Sequence, residues 1–194
     1  MCSDRFLVHE SVHDEFVARL KVAVEKLTVT EGKDNGDVGP LINGAAVSLM
    51  EERVREAVEG GAVVVAGGAR VDLNGGNFFA PTILTGVQPA AAVFSHENFG
   101  PVAAIVMFKS DEEALQIIKS TSSAGLAAYV MSENYRTIEK YSRELQFGIV
   151  GINEGIVSNA FAPFGGVKSS GIGREGFVDG IKEYTYQKYV YLDC

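Results

Sequence analysis

Short apolar runs and amphipathic helical stretches take turns along the whole chain, and this alternation restricts the possible folds more than any single residue does. RFLVH (Arg5 to His9), AVVVAG (62–67), FFAPTILTGV (Phe78 to Val87), PVAAIVMF (Pro101 to Phe108), LAAYVM (126–131) and GIVGIN (Gly148 to Asn153) have the length and apolar content of strands. Val12, Phe16, Val17, Leu20, Val24 and Leu27 recur at helical spacing, with Ser11 placed as N-cap and Asp14 and Glu15 in the first turn. Further helices are predicted from about Ala45 to Val58, over DEEALQIIKS (111–120) and from Tyr135 to Leu145. Strands separated by helical connections pair in parallel, so the predicted class is α/β, a largely parallel sheet with helices on both faces.

With 194 residues, 46% of them hydrophobic, the chain can bury one sizeable core and is too short for two ordinary domains and a linker. A net charge of −8 without any Lys/Arg cluster argues against nucleic acid or an anionic membrane as partner. The only cysteines are Cys2 and Cys194, one at each end, which gives neither a disulfide framework nor a paired-cysteine metal spacing and suits a reducing compartment. No apolar run approaches membrane-spanning length and no signal peptide is read, so a soluble protein of the cytoplasm or mitochondrial matrix is expected.

The stretch APFGGVKSSGIGREG (Ala162 to Gly176) holds five glycines and a proline, so its backbone must pass close to something or take positive φ repeatedly. Carried between the strand GIVGIN and the segment EYTYQKYVYL, it reads as a site loop. Gly171, Gly173 and Gly176 match G-x-G-x-x-G, but no strand feeds directly into them and no βαβ unit follows, so they read as a turn and a helix start. His9, Glu10 and His13 spell H-E-x-x-H, which holds zinc only when both rings share a helix face. Here His9 ends a strand and the helix starts at Ser11, so the rings should diverge and no metal is expected. Cys2 has no histidine base placed for it and reads as a structural or incidental thiol.

Glu97 lies in SHENFGP, between an apolar strand and a Phe-Gly-Pro turn, where its carboxylate can accept two hydrogen bonds from vicinal hydroxyls such as those of a ribose, or simply be solvated. Phe99 and Phe164 are each followed by glycine and suit either core aromatics or pocket walls.

Taken together and in order, GPLIN (39–43), GGNFFAPTIL (75–84), HENFGP (96–101), GIVGINEGIVSN (148–159) and PFGGVKSSGIGREG (163–176) resemble the C-terminal, catalytic-domain portion of the aldehyde dehydrogenase superfamily, closest to succinate-semialdehyde dehydrogenases. The resemblance covers nearly the whole chain. It implies an N-terminally truncated catalytic domain over residues 1–176 and a C-terminal helix and oligomerisation strand over 177–194. The implied chemistry is oxidation of an aldehyde to an acid through a thiohemiacetal on a catalytic cysteine, hydride transfer to NAD or NADP, and hydrolysis of the thioester.

By the same resemblance Glu97 binds the nicotinamide ribose and Phe99 packs near the nicotinamide. Ser158 and Asn159, with Phe164 behind them, line the aldehyde entrance, where small polar groups suit a short substrate bearing a carboxylate. The family's nucleophile falls just before Met1, and Cys2 aligns with the neighbouring cysteine two residues on. The Rossmann domain, the water-activating glutamate and the oxyanion-hole asparagine all lie upstream in the family, and Asp4 stands where an asparagine is usual. The 194 residues by themselves are therefore expected to be inactive and to bind no cofactor.

The closing EYTYQKYVYL places Tyr184, Tyr186, Val190 and Leu192 on one face of an extended chain and Tyr189 and Tyr191 on the other. It predicts either an edge strand of its own sheet or a strand pairing with another subunit, in a homo-oligomer or with a full-length paralogue. A reading from a different class is a non-catalytic assembly or interaction module that works through this strand.

Overall fold

The computed structural model describes residues 3–194, which fall into two compact units, residues 3–122 and residues 123–194. In chain order the first unit contains β1 (Arg5–His9), α1 (His13–Val24), α2 (Gly44–Glu59), β2 (Val63–Ala66), β3 (Arg70–Val71), β4 (Phe78–Phe79), β5 (Thr82–Thr85), α3 (Ala92–Ser95), β6 (Val102–Phe108) and α4 (Asp111–Thr121). The second contains β7 (Ala127–Val130), α5 (Tyr135–Glu144), β8 (Ile149–Ile152) and α6 (Phe177–Gly180).

The first unit is organised by a four-stranded sheet in the order β1-β6-β5-β2, in which β6 runs parallel to both of its neighbours and only β2 is antiparallel. Successive side chains on a strand point to opposite faces, so one sheet feeds two apolar layers. Leu7, Leu84, Ala104 and Val106 face one layer with Val47, Met50, Val54 and Ala57 of α2 and Val93 and Phe94 of α3. Val8, Ile83 and Ile105 face the other, against Phe16, Val17, Leu20 and Val24 of α1. The predicted parallel-dominated sheet with helices on both faces is what forms.

Two local expectations need correction. FFAPTILTGV is not one strand: Pro81 lacks the N–H a ladder needs, and the segment splits into β4, which pairs with β3, and β5, which joins the main sheet. Ser11 does not cap α1; it lies inside a 3-10 turn, Glu10–Val12, whose N-cap is His9, with Nδ1 accepting from the Ser11 N–H. The helix proper starts two residues later than expected and stops at Val24 rather than Leu27.

The second unit is a strand–helix–strand unit in which β7 and β8 pair in parallel. α5 supplies Tyr141, which is buried together with Val130 of β7 and with Leu145 just beyond the helix. Asn153 ends β8 at φ 52° and ties the tops of the two strands: its Oδ1 accepts from the Ser132 N–H and its Nδ2 donates to the Ser132 carbonyl, both at 2.8 Å. Residues 185–194 carry no strand and are exposed in this chain.

Candidate functional site

In the first unit the chemistry converges on the loop between α3 and β6. Asn98 is the residue that fastens it, because it is buried and both polar ends of its side chain have partners. Its Nδ2 donates to the Val93 carbonyl at 2.8 Å, its Oδ1 accepts from Arg53 Nη1 at 2.7 Å, and its backbone N–H donates to Asp4 Oδ1 at 3.2 Å. The same Arg53 nitrogen donates to the Glu97 carbonyl at 2.7 Å.

With Asn98 turned inward, both neighbours on the chain point to the surface. The Glu97 side chain is exposed. Beside it the Arg5 guanidinium is pushed below its ordinary pKa by burial, and the carboxylates of Asp4 and Glu97 oppose that shift. Phe99 is 83% exposed and holds φ 49°, a left-handed conformation that a bulky side chain adopts only at a cost. Gly100 packs closely on α2, since a Cβ there would lie 2.5 Å from Met50 Sδ and the methionine would have to shift. A carboxylate and an aromatic ring are thus presented to solvent from a backbone pinned by α2, by α3 and by the residue before β1.

In the second unit the glycine-rich stretch passes close to its own fold. A Cβ on Gly148 would lie 1.9 Å from the Gly165 carbonyl, and one on Gly165 would lie 2.6 Å from the Gly173 carbonyl. Phe164 and Glu175 form an antiparallel bridge, with N–H to carbonyl distances of 2.8 and 2.6 Å. Arg174 Nη1 donates to the carbonyls of Gly166 and Gly173, both at 2.7 Å, and closes the loop on itself. Ahead of it, Asn159 Oδ1 accepts from the Phe161 N–H at 2.8 Å, while Ser158 is exposed and Phe164 half-buried. Ser158, Asn159 and Phe164 therefore share one turn-and-loop segment of this unit, and Glu97 and Phe99 share one loop of the other.

Gly171, Gly173 and Gly176 all have positive φ and lead into a four-residue helix, with Gly173 backed by the Glu183 carboxylate. An anion site there would meet that negative charge. The histidines of H-E-x-x-H hold other partners: His9 Nε2 meets the Lys109 carbonyl at 3.2 Å, and His13 Nε2 meets Thr85 Oγ1 at 2.8 Å. Among the described residues no group of three or more His, Cys, Asp or Glu is placed to hold a metal. Cys2 lies outside the described residues.

Sequence reasoning passed over Arg53 and Asn98. The signal available was Arg53 flanking the buried α2 stripe of Met50, Val54 and Ala57, where a cation needs a reason to sit.

A family model described as the aldehyde dehydrogenase family matches residues 1–190. The NADP(+)-dependent succinate-semialdehyde dehydrogenase of Escherichia coli is 44% identical over 191 residues, which is 98% of this chain and 39% of that protein. A non-phosphorylating aspartate-semialdehyde dehydrogenase of Halomonas elongata is 45% identical over 193 residues, 99% of this chain and 39% of that protein. The crystal structure of a succinate-semialdehyde dehydrogenase from Burkholderia pseudomallei superimposes with a TM-score of 0.90 at 45% identity, over 94% of this chain and 38% of that one. The chain thus spans about two fifths of the length of the relatives it matches.

Proposed function

The chain belongs to the aldehyde dehydrogenase family, and we propose that it is the catalytic-domain part of an NAD(P)-dependent oxidation of a short semialdehyde bearing a carboxylate, with succinate semialdehyde the best-supported substrate. The observation that carries this is the pairing of Glu97 with Phe99, an exposed aromatic ring held at φ 49° beside an exposed carboxylate. A protein holds a strained, solvated ring on a pinned loop for what the ring will meet. The fit to a nicotinamide nucleotide is chemical: a carboxylate accepts from both hydroxyls of a ribose, and a flat apolar ring covers a flat heterocycle. Bound there, NAD or NADP supplies the hydride acceptor.

The substrate end belongs to Ser158, Asn159 and Phe164. The Asn159 amide is fixed by the bond its Oδ1 accepts from Phe161, which leaves its NH2 end to donate. With the Ser158 hydroxyl it offers donors suited to a carboxylate, and Phe164 gives the loop an apolar wall. The same polar turn would serve a semialdehyde that also carries an amino group, which fits the aspartate-semialdehyde dehydrogenase among the relatives.

The test is a graft in which residues 3–190 replace the matching segment of the E. coli enzyme. Reduction of NADP that depends on succinate semialdehyde, with nucleotide KM rising about ten-fold or more in Glu97→Gln for the loss of a charge-assisted hydrogen bond, is the expected result. A folded, oligomeric graft without turnover on any short semialdehyde would remove the proposal. The 194 residues expressed alone should show no turnover. Cys2 stands two residues from the position of the nucleophile, and attack geometry tolerates far less than the several ångströms this moves a thiol. Turnover by the isolated chain that vanishes in Cys2→Ser would show this wrong.

One observation favours the second reading, a non-catalytic assembly module: the exposed aromatic tail. A graft that folds but stays inactive, together with self-association of the isolated chain on size-exclusion chromatography, would prefer it.

A further inference from the structure

We infer that Arg53 and Asn98 are positioning residues that lock the backbone on which Glu97 and Phe99 stand, so that the proposed nucleotide loop is ordered before any nucleotide arrives. The inference rests on the assignment of Glu97 and Phe99 to the nucleotide. Asn98 is 4% exposed, and its side chain joins two elements, accepting from Arg53 of α2 and donating to the Val93 carbonyl in α3. One guanidinium nitrogen holds two consecutive residues of the loop, through the Glu97 carbonyl and Asn98 Oδ1, both at 2.7 Å. Asp4 Oδ1 takes the Asn98 N–H at 3.2 Å from the opposite end of the chain segment, and close packing of Gly100 on Met50 fixes the exit.

The physical consequence is specific to the residues that do not make these bonds. A side chain at φ 49° tends to relax into the right-handed or extended regions, and Phe99 has little packing of its own to prevent it. What prevents it is the clamp one residue earlier. Remove it, and the ring and the carboxylate must be ordered at the moment of binding, which weakens the nucleotide without touching the aldehyde.

Arginine is suited to this work because the two N–H groups of Nη1 lie in the guanidinium plane at fixed angles, one for each acceptor, whereas a lysine ammonium carries rotatable donors on a flexible stem and fixes neither acceptor's direction. Asparagine is suited because one side chain both accepts and donates. Arg53→Lys should therefore be intermediate between wild type and Arg53→Met, and Asn98→Ala should match or exceed Arg53→Met.

The measurement on the 194-residue chain is 19F NMR with 4-fluorophenylalanine placed at position 99, alongside amide exchange over 96–100. At matched concentration, so that association through the tail acts on every sample alike, wild type should give one resonance; Arg53→Met and Asn98→Ala should split it or broaden it beyond the wild-type width and speed exchange at 97–100 about ten-fold, while Ile105 in β6 keeps its protection. If Asn98→Ala does not fold, Arg53→Met carries the comparison, because it removes the donor while filling similar space. A single line of wild-type width and unchanged exchange in a folded Arg53→Met chain overturns the clamp.

The second arm uses the graft described above. Arg53→Met should raise the nucleotide KM about ten-fold while the aldehyde KM stays near wild type and the melting temperature falls by only about a few degrees for the acceptors left unpaired, and Arg53→Lys should recover part of the loss. If Glu97→Gln raises the nucleotide KM but Arg53→Met does not, the positioning role is refuted and the functional reading survives. If Glu97→Gln and Phe99→Ala both leave the nucleotide KM unmoved, the placement of the nucleotide is refuted, and the positioning role falls with it whatever the loop does.

Discussion

At the scale of single residues, stability and proposed use pull in opposite directions at Phe99. Its ring is 83% exposed, so it buries little, and its backbone sits at φ 49°, where glycine is at ease and phenylalanine is not. Phe99→Gly should therefore raise the unfolding free energy by about 0.5 to 1 kcal/mol, measured by urea denaturation, because relief of the left-handed strain outweighs the added freedom of the unfolded chain. In the graft the same change should weaken nucleotide binding. A loss of stability instead would mean that the ring is packed and that its exposure is not its purpose. The residue itself was legible in the sequence as a candidate, since Phe-Gly-Pro after an acidic residue stands out in any reading. Its conformation was not, because φ at a non-glycine position depends on neighbours far along the chain, here Asp4 and Arg53 through Asn98.

At the scale of elements, alternation of period carried the α/β assignment because burial on both faces of the sheet forces near-continuous apolar runs such as Val102 to Phe108. Helix ends were less legible. A serine ahead of an apolar repeat is a good cap, yet here a 3-10 turn intervenes, capped by the His9 ring at the Ser11 N–H, and α1 itself follows Val12 with no side-chain cap. The glycine-rich stretch reads as a backbone that must approach something or take positive φ, and both occur: Gly165 and Gly166 lie against the residues ahead of β7 and β8 and against the loop itself, while Gly171, Gly173 and Gly176 have positive φ. Its end is stitched to the start of β7 by Val167 N–H to the Gly125 carbonyl at 3.0 Å and by Ser170 Oγ, which accepts from the Gly125 N–H at 2.9 Å. Gly148 is the tightest point of that docking. Gly148→Ala should cost about 2 kcal/mol or more, since a methyl group 1.9 Å from the Gly165 carbonyl forces one backbone away from the other. The displaced loop should then be cut by trypsin at Lys168 and Arg174 well before the first unit is degraded. Equal resistance of the variant and the parent would show that the loop accommodates a side chain and that its glycines serve some other end.

For the whole molecule, the remaining question is what the tail does. Tyr184, Tyr186, Tyr189, Val190, Tyr191 and Leu192 are each 70 to 89% exposed, and Thr185 onward makes no ladder. A run of large apolar side chains on both faces of an extended segment needs cover on both, and within this chain it receives neither. We therefore expect the isolated chain to associate through residues 184–192 at micromolar concentration despite its net charge of −8, because that charge is dispersed over the rest of the surface and screened within about 10 Å at ordinary salt. Deleting Tyr184 to Cys194 should shift the chain towards monomer in sedimentation velocity and raise its solubility. Its thermal stability should scarcely change, since the deletion keeps Glu183, whose Oε1 accepts from the Arg174 N–H at 3.3 Å, and removes no buried side chain. If the truncated chain instead unfolds, the tail belongs to the core of its own unit, and the proposal that it pairs with a second copy fails.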